Sequence, residues 1–240
     1  MVSRREFLKT AAAAAAATAA TPRVATPITE APKTRLRTIT YNVYACQGWA
    51  RAKSDPESKV KIDIPSREAI YDLLADSLLA RQPDLVTFQE SPGEGVVELI
   101  AKKMEMNWTF FPSGQAWPGA LITRFEILES ENCPILGGKR PKDLFTRHWG
   151  RAALRAPFGN LIVHSAHLHP GDDAVRTREV DAMIEAMRRD LNSGLPLLMQ
   201  GDLNHTPAKP MYDQWKNAGL VDTFAEKGEG PPNTIKADKP

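Results

Sequence analysis

Leu197-Leu198-Met199-Gln200-Gly201-Asp202-Leu203-Asn204-His205-Thr206-Pro207 is the stretch from which the fold is read. Pro196 to Gln200 is a short, almost wholly apolar run, the pattern of a strand buried on both faces, and Gly201 breaks it where a carboxylate must emerge. A strand that ends in Gly-Asp-x-Asn delivers Asp202 and Asn204 to a rim, an acid and an amide two residues apart on one side of the strand end. The acid can take a proton while the amide donates to an anion, an arrangement suited to hydrolysis. A Gly-Asp pair after an apolar run is also a common turn, so its meaning depends on what the other strands supply.

The nearest strand upstream is Asn160 to His167, joined to Arg151–Ala156 by the turn signal Pro157-Phe158-Gly159. Alternation sends Leu161, Val163 and Ser165 one way and Ile162, His164 and Ala166 the other, with His167 at the exit. Three of the five histidines fall between His164 and His169, yet they do not read as a zinc site. His164 and His167 point to opposite faces, and His167 and His169 lack a third nearby ligand. His169 and His205 read as loop residues. Between His167 and Leu197, Asp172 or Asp173 starts a helix with an apolar stripe of Val180, Met183, Ile184, Met187 and Leu191.

Two more strands end in polar residues. Leu36 to Tyr44 is a period-two run with Asn42 near its end, and Asp84 to Gln89 is apolar up to Glu90, just before Ser91-Pro92-Gly93. Between them, Ser66 caps a helix that Pro83 stops. Val96, Val97, Ile100 and Met104 form a second amphipathic helix. Trp108–Phe111, Gly119–Thr123 and Phe125–Glu129 are short strands, and Trp108, Trp117 and Phe125 read as core and not as a binding platform. Pro207 to Gly219 predicts a helix, and Leu220 to Phe224 a last short strand.

Asn42, Glu90, His167, Asp202 and Asn204 thus all stand at strand exits, in the order amide, acid, imidazole, acid, amide. With Thr40-Tyr41-Asn42-Val43, Pro83 to Glu90, Ser165-Ala166-His167-Leu168, Gly201-Asp202-Leu203-Asn204 and Val221-Asp222-Thr223-Phe224, the chain resembles the endonuclease/exonuclease/phosphatase superfamily, the deoxyribonuclease-like enzymes, over residues 35–240. The resemblance implies an α/β fold, a four-layer α/β/β/α sandwich of two packed mixed sheets with outer helices, and metal-dependent cleavage of phosphoester bonds. Carried over, it makes Glu90 the main ligand of a Mg²⁺ or Mn²⁺ ion with Asn42 in its shell. Asp202 becomes the base, Asn204 a donor to a non-bridging oxygen, and His167 a hydrogen-bond partner of the phosphoryl group. Asp222 braces its strand. The superfamily pattern continues into a further strand and a terminal His, which implies a chain cut short at Pro240. The alternative reading is a catalytically silent domain that binds phosphorylated ligands.

Composition narrows the setting. The 240 residues are 42% hydrophobic and 25% charged, enough for one sizeable core. Residues 1–20 form a signal peptide: Arg4-Arg5 precede Phe7-Leu8 and the small-residue run Ala11–Ala20, the order of a twin-arginine export signal. Residues 21–34, rich in proline, are a flexible lead-in, and the catalytic domain follows from 35. The expected partners are the export machinery and a phosphoester substrate, with no transmembrane segment in the mature form and a periplasmic or secreted destination. Arg4, Arg5 and Lys9 against Glu6 give the signal a net of +2, equal to the formal +2 of the whole chain. The mature domain is therefore near neutral, which favours a small phosphoester or lipid head group over duplex DNA. Cys46 and Cys133, the only cysteines, have two open states outside the cytoplasm, a disulfide or free thiols.

Overall fold

A computed structural model describes residues 35–47, 66–134 and 141–230 of the chain. The signal peptide, the lead-in, residues 48–65, residues 135–140 and the tail from 231 lie outside the described residues.

The first half builds one sheet. β1 (Thr38–Asn42) leads through α1 (Arg67–Leu79) to β2 (Leu85–Gln89), which lies parallel to β1 with Asn42 opposite Gln89. Ser66 caps α1 through its side chain, which accepts the Ala69 N–H at 3.2 Å. After α2 (Glu94–Lys103), β3 (Asn107–Phe111) and β4 (Gly119–Thr123) complete the order β1-β2-β4-β3. The second half repeats the plan from the other end. β5 (Glu126–Asn132), β6 (Trp149–Ala156) and β7 (Gly159–His167) run antiparallel, and α3 (Asp173–Leu191) crosses over to β8 (Leu197–Asp202). β8 is parallel to β7, with His167 opposite Asp202. A crossover helix is what a parallel pair requires, because a tight turn cannot bring the chain back to the same end.

Three clusters of buried side chains define four layers. Leu85, Phe111, Leu121, Leu154, Leu161 and Val163 come only from strands of both sheets and fill the space between them. Ala75, Leu78, Val97 and Ile100 pack α1 and α2 on the outer face of the first sheet. Val180, Met183, Met187 and, from α4 (Pro210–Asn217), Met211 and Trp215 cover the second. The fold is α/β, two packed mixed sheets with helices outside. A polar ladder crosses the apolar interior: the fully buried Thr87 accepts from Gln200 Nε2 at 2.8 Å, Gln200 also donates to Ile39 O at 3.3 Å, and Thr40 donates to Gln89 Oε1 at 3.1 Å.

Three expectations change. β8 is the edge of its sheet and its apolar residues are only half-buried; both faces are packed, Leu198 between the sheets and Leu197 and Met199 toward α3, but its long edge has no strand beside it among the described residues. Gly201 does not break the strand either. Pairing runs on to Asp202, and glycine is needed because a Cβ there would sit 1.9 Å from the Ala166 carbonyl oxygen. Finally, Leu220–Phe224 is not a strand: Thr223–Lys227 is a short helix, α5, and Asp222 is its N-cap, accepting from Phe224 N at 2.9 Å and Ala225 N at 3.1 Å. Two backbone bonds to one carboxylate outweigh a five-residue β pattern.

Candidate active site

Because β1 and β2 are parallel, and β7 and β8 likewise, both pairs deliver their C-terminal ends to a rim, and these are the ends that carry the five predicted residues. Four of them form a hydrogen-bonded group. Asn42 Nδ2 donates to Glu90 Oε1 at 3.1 Å and to Asp202 Oδ2, also at 3.1 Å, so one amide joins acids from two sheets. Its Oδ1 accepts the Tyr44 N–H at 3.1 Å. Asp202 Oδ1 accepts the Asn204 N–H at 3.2 Å, and Asn204 Nδ2 donates to the Leu168 carbonyl at 2.9 Å. That amide carries two hydrogens, and the second is not engaged in any of these bonds.

His167 is set differently. Its ring is 2% exposed, its Nε2 lies 3.8 Å from Asp202 Oδ2, beyond hydrogen-bond reach, and its Nδ1 is buried with no partner among the described residues. Burial pushes its pKa down to about 4, against the pull of Asp202 and helped by the nearby Arg147 guanidinium. The ring is therefore neutral at pH 7.

The local backbone is costly. Tyr44, Ala45 and Cys46 have φ of 46°, 50° and 54°, Glu90 has 49°, Trp117 has 69° and Asn204 has 51°. Each left-handed non-glycine residue costs on the order of 1 kcal/mol, and such strain concentrates where a side chain must be aimed. The Ala45 N–H donates to Glu90 O at 2.6 Å and holds the turn after β1 against the end of β2.

The oxygens that could hold a hard divalent cation are those of Glu90 and the Asn42 amide. The donor set suits one: two carboxylates from different strands concentrate negative charge, and the Asn42 Oδ1, which accepts the Tyr44 N–H while Nδ2 faces the acids, keeps a second lone pair for an ion. Among the described residues no three His, Cys, Asp or Glu side chains form a cluster able to grip an ion without help. An ion held there would keep waters or substrate oxygens in its shell, the habit of Mg²⁺.

His169 and His205 are loop residues. His169 Nδ1 accepts from the N–H groups of Gly171 and Asp172, and His205 Nε2 accepts the Trp215 indole N–H at 3.2 Å. Two residues escaped the sequence reading. Glu179 is fully buried and accepts from Phe145 N at 2.7 Å and His169 N at 2.8 Å, pinning the loops before β6 and after β7. Burial raises its pKa and those two bonds oppose the rise. Its signal was an acid four residues before Met183 on the apolar stripe of α3. Arg147 has its Nε buried without a partner among the described residues, and its NH1 reaches Thr146 Oγ1 at 3.3 Å; no local pattern announces it. Cys46 is a buried free thiol, its pKa pushed up to about 11 by burial, so it is not bonded to Cys133.

Residues 39–239 match the Endonuclease/Exonuclease/phosphatase family, and residues 1–21 match the twin-arginine translocation pathway signal sequence. No curated protein matches the chain. Among solved structures, a mannosyl-6-phosphatase, Bt3783, of Bacteroides thetaiotaomicron is 16% identical, with 80% of this chain and 74% of that one covered and a TM-score of 0.62. An endonuclease/exonuclease/phosphatase family protein of the same species is also 16% identical, covering 79% and 70% with a TM-score of 0.60. The human Nocturnin catalytic domain is 18% identical, covering 82% and 76% with a TM-score of 0.57. These likenesses show the shared fold. The signal sequence marks the protein for export to the periplasm or the medium, and no helix among the described residues is long and apolar enough to cross a membrane. Members of the matched family are phosphoesterases, nucleases or phosphatases, generally with divalent metals. With its match running from the first strand to the end of the chain, this protein belongs to the Endonuclease/Exonuclease/phosphatase family.

Proposed function

We propose that this protein hydrolyses phosphoester bonds outside the cytoplasm, using Mg²⁺ or Mn²⁺ held by Glu90 and Asn42. The observation that carries the proposal is the single amide of Asn42 shared between Glu90 and Asp202, which brings a metal-binding acid and a base into one hydrogen-bonded unit. When bound, the ion polarises a phosphoryl oxygen and offsets charge on the leaving oxygen. Asp202, fixed through both oxygens by Asn42 and Asn204, accepts the proton of a water whose oxygen bonds to phosphorus as the ester P–O bond breaks. The second Nδ2 hydrogen of Asn204 goes to a non-bridging oxygen, and His167 adds an uncharged hydrogen-bonding group to the phosphoryl side. The catalytic domain begins at residue 35, after the signal of residues 1–20 and the lead-in of 21–34. Two of the similar structures are in keeping with a phosphoryl site: one is named a mannosyl-6-phosphatase, and the Nocturnin domain has a bound sulfate anion, a tetrahedral anion like phosphate.

The test is a panel of phosphomonoesters and phosphodiesters assayed with Mg²⁺, with Mn²⁺ and with a chelator, on the wild type and on Glu90→Gln. Turnover should require the metal and vanish in Glu90→Gln, a loss of several kcal/mol of transition-state stabilisation, while far-UV dichroism stays unchanged. Calorimetric Mn²⁺ binding that survives in Glu90→Gln would remove Glu90 as ligand, and hydrolysis undiminished by chelator would end the metal reading.

A further inference from the structure

Tyr44 and Trp117 are not part of the core, although the sequence placed Trp117 there. Neither belongs to any of the three buried clusters. Their rings stack on each other, with centroids 5.7 Å apart and planes 17° from parallel, and Tyr44 is 47% exposed while Trp117 is half-buried. An exposed aromatic ring alone needs no explanation. What needs one is where this pair stands and how it is held. Tyr44 follows Asn42 by two residues and donates its N–H to the Asn42 side chain. Trp117 precedes Pro118, whose carbonyl accepts the N–H of Ser91, the residue after Glu90. The backbone that carries each ring is therefore tied beside one of the two residues assigned to the metal. Tyr44 and Trp117 both hold left-handed backbone, φ 46° and 69°, at a cost on the order of 1 kcal/mol each.

We infer that Tyr44, backed by Trp117, is a stacking platform for the leaving group of the substrate, and that this group offers a flat ring face: a nucleobase or the apolar face of a sugar ring. The inference rests on the phosphoester reading of the same site, since the platform gains its meaning from a phosphoryl group seated at Asn42 and Glu90. Stacking suits a binder of near-neutral overall charge, because it needs no basic surface. It gives affinity by the ring face and little discrimination among rings. Trp117 holds the platform flat by occupying the inner face of Tyr44, which leaves the outer face of that ring to the ligand.

Binding and turnover of a nucleoside 5′-phosphate, a hexose 6-phosphate and glycerol phosphate, each as the monoester and as the methyl diester, test this on the full chain with Mg²⁺ present. At least one ring compound should bind about 10-fold tighter than the glycerol compound, the scale of one base on one aromatic ring. A tighter nucleotide identifies a base as the ring, a tighter hexose phosphate a sugar. Tyr44→Ala and Trp117→Leu should erase the preference, whereas Tyr44→Phe, which keeps the ring, should retain it and show that the loss is not one of folding. Equal binding of all three compounds by the wild type overturns the inference, as does a preference that survives in Tyr44→Ala. A ring preference in binding with no ester hydrolysed would sink the hydrolase reading and leave the platform standing; hydrolysis without a ring preference would do the reverse.

Discussion

Strand β7 carries two histidines three residues apart, and each faces an aspartate. His164 and Asp190 meet at 2.9 Å on the side of α3, while His167 and Asp202 stand 3.8 Å apart at the rim. The first pair is saturated. The Trp149 indole donates to His164 Nδ1 at 3.2 Å, which leaves Nε2 to carry the proton toward Asp190, and Arg151 donates to both Asp190 oxygens at 2.8 Å. Burial pushes Asp190 up, but the hydrogen bonds from His164 and Arg151 outweigh it and hold its pKa below the usual carboxylate range. In the second pair His167 Nδ1 has no partner among the described residues and Nε2 makes no hydrogen bond to Asp202. Residue type therefore does not separate a structural pair from a pair at the candidate site. What separates them is unspent hydrogen-bonding capacity, which a folded interior fills wherever it can.

The strongest way to break the comparison is at Asp190. Asp190→Ala strips buried Arg151 and His164 of a shared partner, and stability should fall by about 3–5 kcal/mol, read as a lower midpoint in urea. Asp202→Asn should do the opposite: unfolding stays within about 1 kcal/mol of wild type, while turnover drops by roughly 10²-fold with little change in KM. A variant that loses substrate affinity and keeps turnover would make Asp202 a ligand and not a base. The smallest effect lies in pH. His167 has a folded pKa of about 4, below its unfolded value of about 6.5, so between those values the unfolded chain binds the extra proton. Its contribution to stability is complete above the unfolded value and is lost as pH falls through the window, by about 2 kcal/mol between pH 7 and pH 5. Denaturation curves across that range should be shallower in pH for His167→Gln, and an imidazole titration near 6.5 would contradict the buried, neutral ring.

The strand ends were legible because apolar runs have to stop, and the residues that stop them are polar for a reason that periodicity exposes. Asn42, Glu90, His167, Asp202 and Asn204 all came from that rule, and the structure joins Asn42, Glu90, Asp202 and Asn204 through hydrogen bonds. The opposite facing of His164 and His167 followed from a period of two. The role of Asp190 did not, since it lies 26 residues from its histidine and only the crossover of α3 brings the two together. Arg147 was silent for the same reason. Trp117 was misjudged because composition favours burial for a tryptophan, and nothing in Ala116-Trp117-Pro118 reveals the left-handed backbone that turns its ring toward Tyr44. Leu220–Phe224 failed through chemistry at one position: Asp222 accepts the first N–H groups of a helix, and no propensity window weighs a cap.

The polar ladder between the sheets also governs how sharply the proposed reaction centre is aligned. Asn42 and Glu90 ride on one sheet and Asp202 on the other, and the hydrocarbon between the sheets has no preferred direction, so it would tolerate a slide of an ångström that no water-activating geometry could. Hydrogen bonds are directional. Gln200, two residues before Asp202 on the same strand, is tied to Thr87 and to the Ile39 carbonyl of the opposite sheet, and these bonds act as a rivet between two plates. The tolerance of the proposed machine is thus set by an amide and a hydroxyl buried between the sheets.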